Sequence, residues 1–172
     1  EFNMQEVTIP GRSTDTVRFT PFIYGTNANK WEPGAKNPPL YKVMLFTRRD
    51  GAYREYMPLK IGFGKTELVD GRLTRFDKEL KLVKAGYNAA ADRKTTLAEL
   101  KTLKAKGNNT ICPDYPQPGW FYDLCDELGL YVIDCANINA PEKRDDRKVG
   151  GTPSNDPSLA DEYLERVKAM YY

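Results

Sequence analysis

Histidine is absent from this 172-residue chain. A Ser-His-Asp triad, a Cys-His dyad, a HExxH zinc site and a three-histidine metal centre are therefore excluded, because each needs an imidazole as base or ligand. Long apolar runs are missing too. No stretch reaches the roughly 18 consecutive apolar residues of a membrane-spanning helix. The first residues, Glu1-Phe2-Asn3-Met4, have neither the basic nor the apolar region of a secretory leader. A membrane is not an expected partner, and the sequence assigns no compartment. Charge of one sign is also lacking: Lys+Arg total 26 against Asp+Glu 24, a formal +2 that supplies no basic stripe for nucleic acid. Cysteine is sparse. Cys112, Cys125 and Cys135 form neither a CxxC motif nor an even disulfide framework. Burial as small hydrophobes is the expectation, with a thiol pair between Cys112 and Cys135 as the sharper alternative.

What is present divides near residues 62 to 72. The first part reads all-β. Val7 and Ile9, Val17 and Phe19, then Tyr41, Val43, Leu45 and Phe46 are short runs of β-branched, aromatic and apolar residues separated by turn chemistry. Asp50-Gly51 lies between the Val43–Phe46 run and the Tyr53–Tyr56 run, where a tight hairpin needs the positive φ that Gly and Asp tolerate. Strands of this length and spacing point to a piece of a β-sandwich with Trp31 and Tyr41 in its core.

The second part alternates strand and helix. Leu80 to Tyr87 is a strand candidate, and Thr96-Leu97-Ala98-Glu99 reads as the capping box of a helix that keeps Leu97, Leu100 and Leu103 on one face and ends at Gly107. A short strand, Asn109 to Cys112, follows. Pro118 to Leu128 places Phe121, Leu124, Cys125 and Leu128 at helical spacing before Gly129. Leu130-Tyr131-Val132-Ile133 has the pattern of a parallel strand buried on both faces. A long polar loop from Asn139 precedes Asp156-Pro157, the N-cap and first position of a helix with Ala160, Tyr163, Leu164, Val167 and Met170 on one face. Such alternation argues for parallel strands, in a doubly wound sheet or a (β/α)₈ barrel. A full barrel takes about 250 residues. The second part therefore holds about three βα units of one, or forms a small open domain.

Gly62-Phe63-Gly64-Lys65-Thr66 superficially resembles a phosphate loop, but Leu59 stands where that motif requires its first glycine. Phosphate binding is not expected. Glu142 to Lys148 mixes both charge signs, as a solvated loop does; following the third strand, it is also placed to act as a lid. The adjacent Asp145 and Asp146 are poor acid/base partners, and no third acid stands near to make a metal site. No metal or cofactor is expected. Asn108-Asn109-Thr110 matches a glycosylation sequon but leads into a buried strand.

Several segments together carry a family likeness. Trp31-Glu32-Pro33, Asn37-Pro38-Pro39-Leu40-Tyr41 and Lys60-Ile61-Gly62-Phe63-Gly64-Lys65 resemble the end of the immunoglobulin-like domain before the catalytic barrel in glycoside hydrolase family two, the β-galactosidases, β-glucuronidases and β-mannosidases. Asp70-Gly71 and Gly86-Tyr87-Asn88 look like the first barrel strand. Asp114-Tyr115-Pro116 and Phe121 through Asp134 look like the stretch through the third, and Ala136-Asn137-Ile138 and Asn155-Asp156-Pro157 extend the likeness.

This resemblance implies a mixed α and β chain: an immunoglobulin-like β-sandwich portion over 1–65, then an incomplete (β/α)₈ barrel of about three βα units over 66–172. It implies a glycosidase that acts on β-glycosidic bonds by a retaining mechanism, with two carboxyls about 5 Å apart. The family's acid/base glutamate at the fourth strand and its nucleophile near the seventh would lie past Tyr172, so the chain alone is expected to be inactive. Departures are clear: Ala89-Ala90-Ala91-Asp92 and Ile111-Cys112-Pro113-Asp114 replace histidine-containing segments, and Cys135 replaces a glutamate. A carbohydrate-binding or scaffolding pseudoenzyme is the alternative. Strand ends still make Asn88, Asp114, Asp134 and Asn137 candidate sugar contacts. Trp120 and Tyr115 are placed to stack on a sugar face or to pack at a helix start. A carbohydrate is the expected partner of the longer protein, and an unpaired third strand is expected to drive self-association of this chain.

Overall fold

The computed structural model describes residues 4–20, 29–138 and 155–171. Its first regular unit is a hairpin of β1 (Tyr41–Arg49) and β2 (Ala52–Ile61). The sequence dictates the turn: Asp50 and Gly51 adopt φ of 52° and 77°, whose twist matches that of the flanking strands. The register sets Tyr41 opposite Ile61, Val43 opposite Leu59 and Leu45 opposite Met57, which lines one face with apolar side chains. Leu45, Met57, Leu59 and Ile61 on that face are exposed. The expected strands at Val7–Ile9 and Val17–Phe19 are not formed; these residues run as irregular, exposed chain. A strand has no ladder of its own, and no described segment pairs with them.

A small antiparallel meander follows: β3 (Thr66–Val69), β4 (Arg72–Arg75) and β5 (Lys78–Glu79). Asp70-Gly71 is its first turn, between β3 and β4, and not part of a barrel strand. Leu80, read above as the start of the next strand, donates its N–H to Leu73 and closes the meander.

The parallel sheet is built from β6 (Lys84–Gly86), β7 (Thr110–Cys112) and β8 (Tyr131–Val132), in that order. Helices α1 (Arg93–Ala105) and α2 (Gly119–Leu128) make the crossovers. Leu100, Ile111, Phe121, Leu124, Cys125 and Leu130 are buried between sheet and helices. Each of the buried Leu, Ile and Phe side chains stabilises the fold by about 1.5–3 kcal/mol relative to exposure. β8 lies at the sheet edge and Ile133 is exposed, so the apolar run is not buried on both faces.

α1 starts one turn before the expected capping box. Asp92 is the N-cap: its carboxylate accepts from the Thr95 N–H at 2.9 Å and from the Thr95 hydroxyl at 2.7 Å. Thr96 instead faces inward, fully buried one turn ahead of Leu100, and its hydroxyl accepts from the Ala90 N–H at 3.0 Å. Asp is a strong cap, and Thr96 is the residue whose methyl suits the core face. α2 ends as expected at Gly129, whose φ of 70° turns the chain so that the Leu130 N–H reaches the Cys125 carbonyl at 2.8 Å. α3 (Ala160–Tyr171) follows a 3₁₀ turn, Pro157–Leu159, capped by Asp156.

Trp31 packs on the α/β part, a correction to its placement in a sandwich core. Its indole N–H donates to the Asp126 carbonyl at 2.9 Å and its ring meets Tyr131 edge-on at 5.3 Å. Arg75 clamps the meander to the same place. Its guanidinium donates to the Trp31 carbonyl and to the Thr66 hydroxyl, and lies over the rings of Trp31 and Tyr131. A Cβ on Gly64 would collide with that guanidinium, so the glycine here makes room for an arginine. Tyr41 is half-buried against Phe63 at 5.0 Å.

All three cysteines are free, so Cys112 and Cys135 form no disulfide. Cys125 is a buried hydrophobe whose thiol is pushed up to about 12 by burial, whereas Cys135 is exposed. The lid candidate Glu142–Lys148 lies outside the described residues.

Candidate functional site

Parallel strands present their carboxyl ends on one rim, and the residues that leave them are set by the register. Ala85 pairs with Ile111, and Ile111 with Val132. Asn88, Asp114 and Asp134 thus each stand two residues beyond Gly86, Cys112 and Val132.

Asn88 and Asp114 bind each other reciprocally. Asn88 Nδ2 donates to Asp114 Oδ2 at 2.9 Å, and the Asp114 N–H donates to Asn88 Oδ1 at 2.9 Å. Asp134 Oδ2 accepts from the Tyr122 hydroxyl at 2.7 Å, and its Oδ1 accepts from the Cys135 N–H at 3.1 Å. Burial first, and the neighbouring Asp134 as well, raise the Tyr122 phenol above its ordinary value. Tyr87, beside Asn88, is likewise raised by burial and by its hydrogen bond to Glu99.

Two residues of this cluster escaped the sequence reading as individuals: Gln117 and Tyr122. Gln117 Oε1 accepts from the Ala89 N–H at 2.7 Å, its Nε2 donates to the Tyr115 carbonyl at 2.6 Å, and its backbone N–H donates to the Tyr122 oxygen at 3.0 Å. Gln117 lies in an irregular loop where no periodicity marks it. Tyr122 follows the core residue Phe121, and a tyrosine at a core edge commonly finds a polar partner for its hydroxyl.

The remaining candidates lie elsewhere. Asn137 is exposed; its carbonyl accepts from Arg166 of α3 at 2.6 Å. Trp120 is half-buried against the core cluster, and Tyr115 is exposed. Among the described residues no group of three potential ligands is placed to hold a metal ion. No described helix is long and apolar enough to cross a membrane. A cleft of about 410 Å³ opens between the end of β2 and the α2–β8 unit, lined by Trp31, Ile61, Asp126 and Val132 and sharing Tyr122 with the cluster above. There the Asp126 carboxyl is raised, chiefly by burial and then by Asp123 and Glu127.

Parallel strands joined by helices, with polar side chains meeting beyond their carboxyl ends, fit the opening units of a (β/α)₈ barrel. Residues 86–172 match the family described as Glycosyl hydrolases family 2, TIM barrel domain. The chain belongs to glycoside hydrolase family 2. It is 32% identical over 153 residues to a β-galactosidase of Lactobacillus delbrueckii subsp. bulgaricus, covering 79% of this chain and 15% of that protein. It is 29% identical over 151 residues to a β-galactosidase of Streptococcus thermophilus, covering 80% of this chain and 14% of that protein. Among solved structures, Ruminococcus gnavus β-glucuronidase superposes with a TM-score of 0.55 at 21% identity, over 63% of this chain and 20% of that one. An exo-chitosanase of Amycolatopsis orientalis gives 0.54 at 22%, over 64% and 15%. The chain thus spans about 15% of the length of these curated β-galactosidases.

Proposed function

We propose that this chain is the junction and opening part of a longer retaining glycosidase acting on β-glycosidic bonds, and that the ends of β6, β7 and β8 supply part of its sugar-binding floor. The observation that carries the reading is the reciprocal Asn88–Asp114 pair at the ends of two parallel strands. Sugar hydroxyls both donate and accept, and an amide beside a carboxylate answers both needs. Asp134 extends that floor to the third strand; Asn137 and Trp120 are assigned to its margin.

In this reading residues 1–65 belong to an immunoglobulin-like sandwich and residues 66–172 to the barrel. The apolar face of the β1–β2 hairpin supports the first assignment, because it suits packing against a second sheet. The chemistry requires a carboxylic acid to protonate the leaving oxygen and a carboxylate to attack the anomeric carbon and form a glycosyl-enzyme that water then cleaves. Asp114 and Asp134 serve as acceptors for Asn88 and Tyr122, in keeping with binding rather than that chemistry. The catalytic pair is assigned to residues outside this chain, which alone is inactive. Its open β8 edge and apolar hairpin face favour self-association of the isolated chain.

The test is an NMR titration of the chain with methyl β-galactoside, methyl β-glucoside and methyl β-glucuronide. Saturable shifts at Asn88 and Asp114 with at least one of them support the assignment. No response at these residues with any of the three refutes it.

A further inference from the structure

We infer that Gln117 is a positioning residue that joins the Asn88–Asp114 pair to the Tyr122–Asp134 pair, so that the three strand ends act as one preset floor. The inference rests on the sugar-floor reading above and adds how that floor is held.

Gln117 leaves β7 in the loop that leads to α2, and it is half-buried. Its amide is used at both ends. Oε1 accepts from the Ala89 N–H at 2.7 Å, which fixes the backbone next to Asn88. Nε2 donates to the Tyr115 carbonyl at 2.6 Å and approaches Asn88 Oδ1 at 3.5 Å. The opposite amide orientation would set an N–H₂ group against the Ala89 donor and an oxygen against the Tyr115 carbonyl, so the surroundings admit one orientation.

The backbone N–H of Gln117 donates to the Tyr122 oxygen at 3.0 Å. A hydroxyl that accepts from that direction turns its own proton elsewhere, here to Asp134 Oδ2 at 2.7 Å. The Asn88 amide is oriented by the same logic, since its Oδ1 accepts from the Asp114 N–H while its Nδ2 donates to the Asp114 carboxylate. Hydrogen bonds thus join Asp114 to Asn88 and Tyr122 to Asp134, and Gln117 bridges the two pairs. Its side chain holds the Ala89 N–H at 2.7 Å and approaches Asn88 at 3.5 Å, while its backbone N–H holds the Tyr122 oxygen. Networks of this kind hold a binding geometry before the ligand arrives. Glutamate at position 117 would place an acceptor against the Tyr115 carbonyl, and leucine would remove the side-chain part of that bridge.

The experiment is ¹⁵N NMR of side-chain amides in the 172-residue chain. Tyr122→Phe is expected to shift the Asn88 side-chain amide signals, and the same change made together with Gln117→Leu is expected to leave them where Gln117→Leu alone sets them. Signals of Asn88 that ignore Tyr122→Phe, or that respond equally without the glutamine side chain, overturn the inference. Should Gln117→Leu fail to fold, hydrogen exchange of the Ala89 backbone N–H in the unaltered chain decides. Slowed exchange supports the bond to Gln117, and exchange at the rate of a free amide overturns it. No sugar is present in these measurements. A floor that binds no sugar but keeps the coupling refutes the functional reading alone, and sugar binding without coupling refutes the role of Gln117 alone.

Discussion

The indole N–H of Trp31 donates to the carbonyl of Asp126 at 2.9 Å, a bond that spans 95 residues of sequence. It ties the segment before the β1–β2 hairpin to the last turn of α2, where the same carbonyl also accepts from the Gly129 N–H at 3.3 Å. Trp31→Phe keeps an aromatic ring but leaves that carbonyl only the longer 3.3 Å bond from the Gly129 N–H, at an expected cost of about 0.5–1.5 kcal/mol. Trp31→Ala also empties a buried site and is expected to cost about 3–5 kcal/mol. Urea unfolding followed by circular dichroism measures both, and equal midpoints for the two variants would contradict this account.

Asp92 makes the start of α1 sensitive to acid. Backbone and side-chain hydrogen bonds from Thr95 hold its carboxyl below the ordinary value of 3.8. A group whose acidity is strengthened by folding contributes stability above its unfolded value and loses it as pH falls through the lowered folded value. Asp92→Asn retains a capping side chain and is expected to flatten the acid limb of the stability curve. Asp92→Ala is expected to lower the thermal midpoint at neutral pH as well. Melting curves collected from pH 7 down to pH 2 check both outcomes.

Gly129 is constrained twice. Its φ is 70°, and a Cβ there would meet the Glu32 carbonyl at 3.1 Å and Pro38 at 3.3 Å. Gly129→Ala is expected to destabilise by more than about 1 kcal/mol, because the conformation and the contact both oppose a side chain. Gly119→Ala is the comparison, since nothing lies within 4 Å of a Cβ there and its φ is not positive. Comparable losses for the two in chemical denaturation would show that the close approach of the 31–38 loop is unimportant.

Self-association should follow from exposed apolar area. Met57 is 44% and Leu59 43% exposed on the hairpin, and β8 has an open edge. Light scattering of the isolated chain is expected to show a mass that rises with concentration, and Leu59→Lys to reduce that rise. A strictly monomeric chain at high concentration would contradict the expectation.

Much of the α/β part was legible because its signals are local. Phe121, Leu124, Cys125 and Leu128 repeat at helical spacing, Gly129 stops the helix, and Asp50-Gly51 specifies its own turn. The start of α1 was misplaced because Thr96 and Glu99 match a capping box while Asp92, a turn earlier, makes the cap. Propensity alone does not choose between two caps; the buried face of Thr96 does. The strands expected at Val7 and Val17 fail for a different reason, since a strand's hydrogen bonds are all owed to a neighbour. The places of Asn88, Asp114 and Asp134 just beyond three strands were legible from the sequence, and the structure sets them there. Gln117 was not, because its role depends on a 2.7 Å bond to Ala89, 28 residues away, and nothing local encodes that meeting.

The most direct test of the functional reading is hydrolysis of a panel of aryl β-glycosides by the 172-residue chain and, side by side, by the full-length protein that contains it. The account predicts hydrolysis by the longer protein and none by the chain. Hydrolysis by the chain alone would place the catalytic carboxylates within these 172 residues. Hydrolysis by neither would contradict the glycosidase reading and favour a carbohydrate-binding protein that has lost the reaction.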